Sequence, residues 1–306
     1  MFDLFENSGG GFEELLSSAT PDLPDVESVL TDLIQKEPDE YGGLKMRGFH
    51  ASAVATRSCP NFYALHMLYP FEQDFTPTQR MIFSNGHGVH DRLQRIMRPV
   101  LYGSWKCGRC GVYHEMNKDY FEWLDQERGS SEEAQKEYES IATFSEVPKK
   151  APSECAVCGY QDFRYAEWRV VSHEYGFASK MDGVFMNGAG KFVGWEIKSA
   201  NVRSFNLVLQ GGASRKYKHQ FGLYMALENK RLGDGHFEAG VMTFECKNDQ
   251  TRKHIPIFLN EIDVTPELNA AKEALRMIRD EKVFSKGKLC GECSGCEYNG
   301  KRCKPK

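Results

Sequence analysis

Two short motifs limit what this chain can fold into more than any other feature. They are Cys107-Gly-Arg-Cys110-Gly and Cys155-Ala-Val-Cys158-Gly. In each, a Cys-x-x-Cys pair ends in a glycine, the tight turn that aims two thiolates at one ion. Two such knuckles together make a tetrahedral four-sulfur site of the kind that holds zinc. The chain between them must therefore leave and return to one point. Its Glu115–Ser145 part is acidic and helix-prone, so residues 103–162 read as a zinc ribbon carrying a helical insertion. The metal replaces a hydrophobic core in closing so small a lobe. Paired motifs also argue against thioredoxin-like redox chemistry, which uses one.

Cysteine usage elsewhere points the same way. Of ten cysteines in 306 residues, eight lie in two tight groups, and the N-terminus MFDLFENSGG lacks the basic, apolar, small-residue pattern of a secretory signal. Metal binding is expected rather than a disulfide framework. The second group, Cys290, Cys293, Cys296 and Cys303, lies in the C-terminal segment 287–306. Its spacing predicts a metal and leaves open which. No apolar run approaches the ~18 residues that span a bilayer, so a soluble, cytoplasmic protein without a membrane partner is expected. Residues 1–45 are acidic and rich in Gly, Ser, Pro and Asp, with one possible helix at Val26–Gln35. They read as a mobile arm able to dock a partner protein. Residues 46–306 are expected to form the main domain.

Within that domain, Phe177–Ala200 concentrates the chemistry. It reads as two strands joined by a turn at Asn187, Gly188 and Gly190, with Asp182 ending the first strand and Glu196-Ile197-Lys198 on the second. Residues two apart in a strand share a face, so Glu196 and Lys198 point one way and Ile197 points into the core. Two carboxylates and a backbone carbonyl make an oxygen site for magnesium or manganese, which can polarise a phosphate. The adjacent lysine can orient or help deprotonate a water. The bland alternative is a β-hairpin with surface charges.

Around this stretch the pattern predicts several helices. NFYALHML follows Cys59-Pro60. Thr76-Pro77 opens a helix to about Met97, with Met81, Ile82, Val89, Leu93 and Ile96 on one buried face. In it, Gly86-His87-Gly88-Val89-His90 suggests close approach to another element, and His90 is the preferred ligand once the nearby acids are considered. After the hairpin, a basic loop carries Arg203, Arg215, Lys216 and Lys218, followed by a helix on which Gln220 and Tyr224 lie one turn apart. Cations for phosphates and an amide–phenol pair for positioning suit a DNA strand. An ordinary amphipathic helix with a solvated start fits equally well. Two strands, FEAGVMTFECK and HIPIFLNEI, and a helix from Thr265-Pro266 complete the domain.

The set resembles the PD-(D/E)xK nuclease superfamily, and within it the RecB-like branch of CRISPR-adaptation exonucleases and phage recombination nucleases. The matching residues are His90 in GHGVHDRLQ, Asp182 in SKMDGVF, Glu196 and Lys198 in GWEIKSA, and Gln220 and Tyr224 in QFGLYMAL, in the family's order. The resemblance implies a restriction-endonuclease-like α/β fold, a mixed central sheet flanked by helices; the zinc ribbon, not a general feature of that family, is expected as an insertion between His90 and Asp182. It implies a magnesium or manganese site of His90, Asp182, Glu196 and the Ile197 carbonyl, with Lys198 at the water and Gln220 and Tyr224 against DNA. Glu167 stands where these nucleases often carry a further acid. Several members hold a 4Fe–4S cluster with one cysteine before the core and three near the C-terminus. Cys59, Cys293, Cys296 and Cys303 fit that arrangement here, with Cys290 as an alternative ligand.

The expected activity is metal-dependent hydrolysis of DNA, as an exonuclease on single strands or ends in recombination, replication or repair, with a recombination or replication protein as a possible partner of the arm. A structure-selective endonuclease on the same core and a non-catalytic zinc and iron–sulfur DNA-binding module are the rival readings. An iron–sulfur redox protein lacks any visible cofactor motif.

Overall fold

A computed structural model of the chain describes residues 48–69, 76–120, 122, 132–280, 296, 298 and 303. The Val26–Gln35 helix, the N-terminal arm, Cys290 and Cys293 lie outside these residues. Of the described residues, 76–84 belong to one compact unit and the others to a second. In the first, Thr76 caps its helix: its hydroxyl accepts from the Gln79 N–H at 3.3 Å while Gln79 Oε1 accepts from the Thr76 N–H at 2.9 Å, a reciprocal cap that satisfies two otherwise orphaned donors.

In chain order the elements are α1 (Ala51–Val54), α2 (Pro60–Leu68), α3 (Pro77–Met97), β1 (Trp105–Cys107), β2 (Tyr113–His114), β3 (Met116–Asn117), α4 (Glu132–Glu139), β4 (Phe144–Ser145), β5 (Phe163–Tyr165) and β6 (Trp168–Ser172). They continue with β7 (Phe177–Met181), β8 (Gly183–Met186), β9 (Phe192–Ala200), α5 (Val202–Gly211), α6 (Arg215–Leu232), β10 (Phe237–Cys246), β11 (Arg252–Phe258) and α7 (Thr265–Arg279). The chain is thus mixed α/β, with several sheets. None of its described helices is long and apolar enough to cross a membrane.

The main sheet has the order β11-β10-β9-β8. β9 and β10 are parallel and both outer pairs are antiparallel. A parallel pair needs a crossover, and α5 and α6 supply it. The segment expected as a basic loop is therefore largely helical. Asn201 caps α5 by accepting from the Ser204 N–H, and Ser214 caps α6 by accepting from the Tyr217 N–H, with Gly212 at φ +73° between them. Short polar caps on both sides of a glycine end one helix and start the next.

The stretch around Asp182 is more than a hairpin. β7 pairs with β6 and β8 pairs with β9, so the chain changes sheets at Asp182. The expected Asn187 turn is present, with Asn187 Oδ1 accepting from the N–H groups of Ala189 and Lys191 and Gly190 at φ +75°.

The two faces of β9 meet different partners. Gly194 lies opposite Gly240 on β10, and the ring of Phe221 from α6 rests on this glycine pair. Trp195 and Ile197, on the other face, join Val89 and Leu93 of α3 and the ribbon's Trp105, Cys107, Cys155 and Phe163 in one buried cluster. Of the face expected on α3, only Val89 and Leu93 are buried; Met81, Ile82 and Ile96 are more than half exposed. Helical spacing aligns apolar residues, but burial needs a neighbour, and in the second unit the apolar partners meet α3 at Val89 and Leu93. Gly86 faces Ser199, as close approach requires, whereas an added Cβ at Gly88 would meet nothing.

A Cβ on Gly240 would stand 2.2 Å from Phe221 Cε1, so Gly240→Ala forces α6 away from the sheet. The expected loss is about 1–3 kcal/mol of stability, read from the midpoint of denaturant unfolding.

Candidate metal centres and their surroundings

Two groups of ligating side chains form among the described residues. The first is Cys107, Cys110, Cys155 and Cys158, whose sulfurs all lie within 4.8 Å of one another. Cys107 and Cys158 are 3.7 Å apart and Cys110 and Cys155 3.6 Å. The knuckles converge because β1 pairs with both β2 and β5, which brings the first motif beside the segment leading from the second. Positive φ at Gly111 (+76°) and Gly159 (+67°) lets the chain turn back after each pair. The Arg109 N–H reaches Cys107 Sγ at 3.4 Å. Burial raises the Cys107 thiol, yet the backbone N–H groups of Cys110 and Arg109 outweigh it and draw the thiol down to about 6. Cys110 moves the other way, to about 12: the Val112 N–H lowers it, but burial and donation to the neighbouring sulfurs win. A thiolate already supported by N–H groups is what a metal needs. This cluster can hold a metal such as zinc, or an iron–sulfur group. Sequence spacing missed His114, a buried residue whose Nε2 lies 3.3 Å from Cys155 Sγ. It lies outside both motifs, on β2, and only the strand pairing brings it in.

The second group is His90, Glu167 and Asp182, again with ligand atoms within 4.8 Å. His90 Nδ1 is 3.4 Å from Asp182 Oδ1. The other oxygen, Oδ2, accepts from the Ile197 N–H at 2.6 Å. Gln94 adds a brace, its amide donating to the Asp182 carbonyl at 2.8 Å and to Glu167 Oε1 at 3.2 Å. Gln94 lies four residues beyond His90 on α3, the spacing that puts two side chains on one helical face; that signal was in the sequence. Glu167 takes the left-handed conformation, φ +59°, which a non-glycine residue adopts at a cost.

Next to this group, Glu196 is 3% exposed. Its Oε1 accepts from Lys198 Nζ at 2.5 Å and from Gln220 Nε2 at 2.8 Å, while Oε2 has no hydrogen-bond partner among the described residues. Gln220 also donates to the Tyr224 hydroxyl at 2.9 Å, and both residues are buried. Gln220, braced on Tyr224, clamps the Glu196 carboxylate. The Lys198 ammonium sits 5.3 Å from the Tyr217 ring centroid. Arg203, Arg215, Lys216 and Lys218 are all exposed, the last three in the first turn of α6.

The electrostatics follow from crowding acids in a poorly solvated place. Burial and then the neighbouring Asp182 charge push Glu196 up to about 7 against the pull of Lys198. Burial would also raise Asp182, but His90, Lys198 and the Ile197 N–H outweigh it and hold Asp182 low. His90 is raised, Asp182 outweighing burial. Lys198 is raised too, Glu196 and Asp182 outweighing burial. It is therefore an ammonium at neutral pH, a donor and a charge rather than a base.

At the C-terminus, Cys296 and Cys303 pack against the main core cluster, which contains Cys59. Tyr298 lies edge-on to Phe62 of α2, with ring centroids 5.8 Å apart, and donates its hydroxyl to the Tyr69 carbonyl at 2.9 Å. Cys59 is at the N-cap position of α2, so Tyr298 packs on the helix that Cys59 begins.

No known family matches the chain, and no curated protein matches it. Among solved structures it is similar to the crystal structure of SSO0001, an archaeal protein, at 11% identity over 91% of this chain and 98% of that one, with a TM-score of 0.39. It is also similar to that of Scheffersomyces stipitis Rai1, at 11% identity over 92% and 78% of the two chains, with a TM-score of 0.24.

Glu196 supplies a test. Its carboxyl is higher in the folded chain, about 7, than in an unfolded one, ~4.3. Its protonation therefore stabilises the fold fully below the unfolded value, and that contribution is lost as pH rises through 7. Glu196→Gln is expected to raise the melting temperature by several degrees at pH 8 and to leave it unchanged at pH 4. A gain of equal size at both pH values would show that Glu196 is not held above its ordinary range.

Proposed function

We propose that the chain is a divalent-cation-dependent nuclease that hydrolyses DNA phosphodiester bonds, acting as an exonuclease on single strands or ends in recombination, replication or repair. One observation carries the reading. His90, Glu167 and Asp182 converge beside a buried Glu196 that keeps one oxygen unpartnered, with a lysine ammonium on its other oxygen. A buried carboxylate oxygen without a donor is costly, and a cation is the partner that removes the cost. Hard oxygen donors with one imidazole suit magnesium or manganese.

The residues that would hold the ion are His90, Asp182 and Glu196, with the Ile197 carbonyl and Glu167 next to them. When bound, such an ion polarises a phosphate oxygen and lowers the pKa of its water. The chain's own side chains then have separate roles. Lys198 stays charged, donates to a water or phosphate oxygen, and offsets negative charge as the bond to phosphorus forms. Gln220 and Tyr224 fix the Glu196 carboxylate, and Gln94 fixes Glu167 and the backbone at Asp182. The exposed Arg215, Lys216 and Lys218 at the start of α6 oppose the helix dipole, and a phosphate lying there would relieve this conflict while using the helix N–H groups.

The main sheet, with β9 parallel to β10 and antiparallel to β8, supports the restriction-endonuclease-like reading. Asp182 between β7 and β8, Glu196 and Lys198 on β9, and Gln220 and Tyr224 on α6 also support the PD-(D/E)xK reading. Zinc in the four-cysteine ribbon, and an iron–sulfur cluster on Cys59, Cys293, Cys296 and Cys303, with Cys290 as the alternative ligand, complete the proposal.

Asp182→Ala and Lys198→Ala are each expected to lower the rate of manganese-dependent cleavage of end-labelled DNA by at least ~10²-fold, with the unfolding transition retained. Cleavage by Asp182→Ala at the wild-type rate would refute the assignment. Intact, metal-loaded protein that binds DNA without cutting it would leave a binding module in its place.

A further inference from the structure

The nuclease reading leaves one charged feature beside the acids unused. Strands β6 and β7 pair antiparallel, and their register sets Arg169 directly opposite Lys180. Like charges facing each other across a ladder destabilise it. Here little neutralises them. Lys180 has Glu167 at 3.6 Å, a carboxylate already gathered with His90 and Asp182. Arg169 has no ion pair among the described residues, and its buried Nε has no hydrogen-bond partner. His50 supplies no counter-charge: burial, and then His66, Lys180 and Arg169, lower its pKa.

The Arg169 guanidinium is also held in place. It lies over the ring of the buried Tyr120, 4.8 Å from the centroid, and the Asn117 side chain donates to the Arg169 carbonyl at 2.7 Å. A stacked guanidinium keeps its flat fork in one plane, the geometry that grips two oxygens of one phosphate. Lys180 is nearly half exposed, so the pair opens to solvent. Position ties this site to the acids: Lys180 precedes Asp182 by two residues and Arg169 follows Glu167 by two. The Glu167 carboxylate, 3.6 Å from Lys180 Nζ and gathered with His90 and Asp182, makes the two sites neighbours.

We propose that Arg169 and Lys180 form a phosphate-binding site, next to the acid cluster, that holds the nucleic-acid phosphate adjacent to the one cleaved. The mutual repulsion of the two cations is the energy that an anion releases on arrival. The ligand chemistry is a phosphate oxygen set, either an internal diester or a terminal monoester. The identity of the strand rests on the nuclease reading; the anion site itself does not.

The experiment uses the full chain, Lys180→Gln, and Lys253→Gln as an exposed control on β11. Binding of a fluorescent single-stranded oligonucleotide is measured by anisotropy over a range of salt, with calcium in place of manganese. Removing one cation–phosphate interaction reduces the slope of log K against log salt by about 0.7. Lys180→Gln is expected to lower affinity at least severalfold and to reduce the slope by about that amount, while its melting temperature stays level or rises because a repulsion is gone. Lys253→Gln is expected to match the wild type. The oligonucleotide is supplied with a 5′ phosphate, a 3′ phosphate or neither: an equal loss on all three identifies an internal diester, and a loss confined to one phosphorylated end identifies a terminal monoester. An unchanged slope with unchanged affinity overturns the proposal, and so does a lower melting temperature with intact binding, which would make Lys180 merely the structural partner of Glu167. A parallel thermal-shift titration with inorganic phosphate separates the two readings. Protection of the wild type that Lys180→Gln loses, in a protein that binds no oligonucleotide, keeps the anion site and removes the nuclease.

Discussion

Burial of Trp195 and Ile197 is the contact on which the rest of the site depends. These two side chains fill the space between β9, α3 and the ribbon, meeting Val89, Leu93, Trp105, Phe163 and the cysteines Cys107 and Cys155 in one cluster. Several of these apolar residues are sequence neighbours of the polar groups that ligate or donate. Val89 precedes His90, and Ile197 stands between Glu196 and Lys198, while Cys107 and Cys155 themselves begin the two knuckles. The apolar residues set the distance between elements, and the polar residues inherit it. Because strands alternate, fixing Ile197 on one face fixes Glu196 on the other, where Gln220 and Tyr224 of α6 hold it. The ribbon is thus part of the packing that brings α3 up to β9, and the four-cysteine centre stabilises more than its own lobe.

That packing sustains an unfavourable arrangement of charge. Asp182, Glu167 and Glu196 would repel one another in a place where water is scarce, and the fold offsets the repulsion with Lys198, His90, the Ile197 N–H and the Gln94 and Gln220 amides. The compensation is incomplete. Glu196 stays high and keeps an unpartnered oxygen, and Glu167 sits in a strained backbone conformation. Stability given up locally in this way is what a preorganised site requires.

Much of this was legible in the sequence, for reasons that differ by residue. The cysteine knuckles could be read because thiolate geometry is set within four residues. Glu196 and Lys198 could be paired because strand periodicity is strict. The expected start of α3 agrees with the structure because Thr76, Pro77 and Gln79 supply a local cap. What could not be read was set by tertiary contact. The switch of sheets at Asp182 depends on β6, a strand that the hairpin pattern does not mention. The helical form of 202–211 was hidden by the glycines that end it and the basic residues around it, and exposure at Ile96 shows that helical period alone does not bury a residue. His114 reaches Cys155 only through strand pairing.

Register explains the deepest of these silences. In the sequence, Arg169 and Lys180 are two ordinary cations in separate strands, Arg169 between Trp168 and Val170 and Lys180 between Ser179 and Met181. Shifting β6 against β7 by one residue would send Arg169 and Lys180 to opposite faces, and the repulsion between them would disappear. The observed pairing is instead held by Trp168 and Met181 on the same ladder, both fully buried in the main core. Hydrophobic burial worth ~1.5–3 kcal/mol for a large side chain outweighs a cross-strand like-charge contact worth ~0.2–1 kcal/mol. The core therefore dictates that two cations meet beside three acids, and electrostatics has to accept the result. A juxtaposition that the protein could avoid with a single substitution, but keeps at the edge of its acid cluster, is best understood as half of an interaction whose other half is an anion.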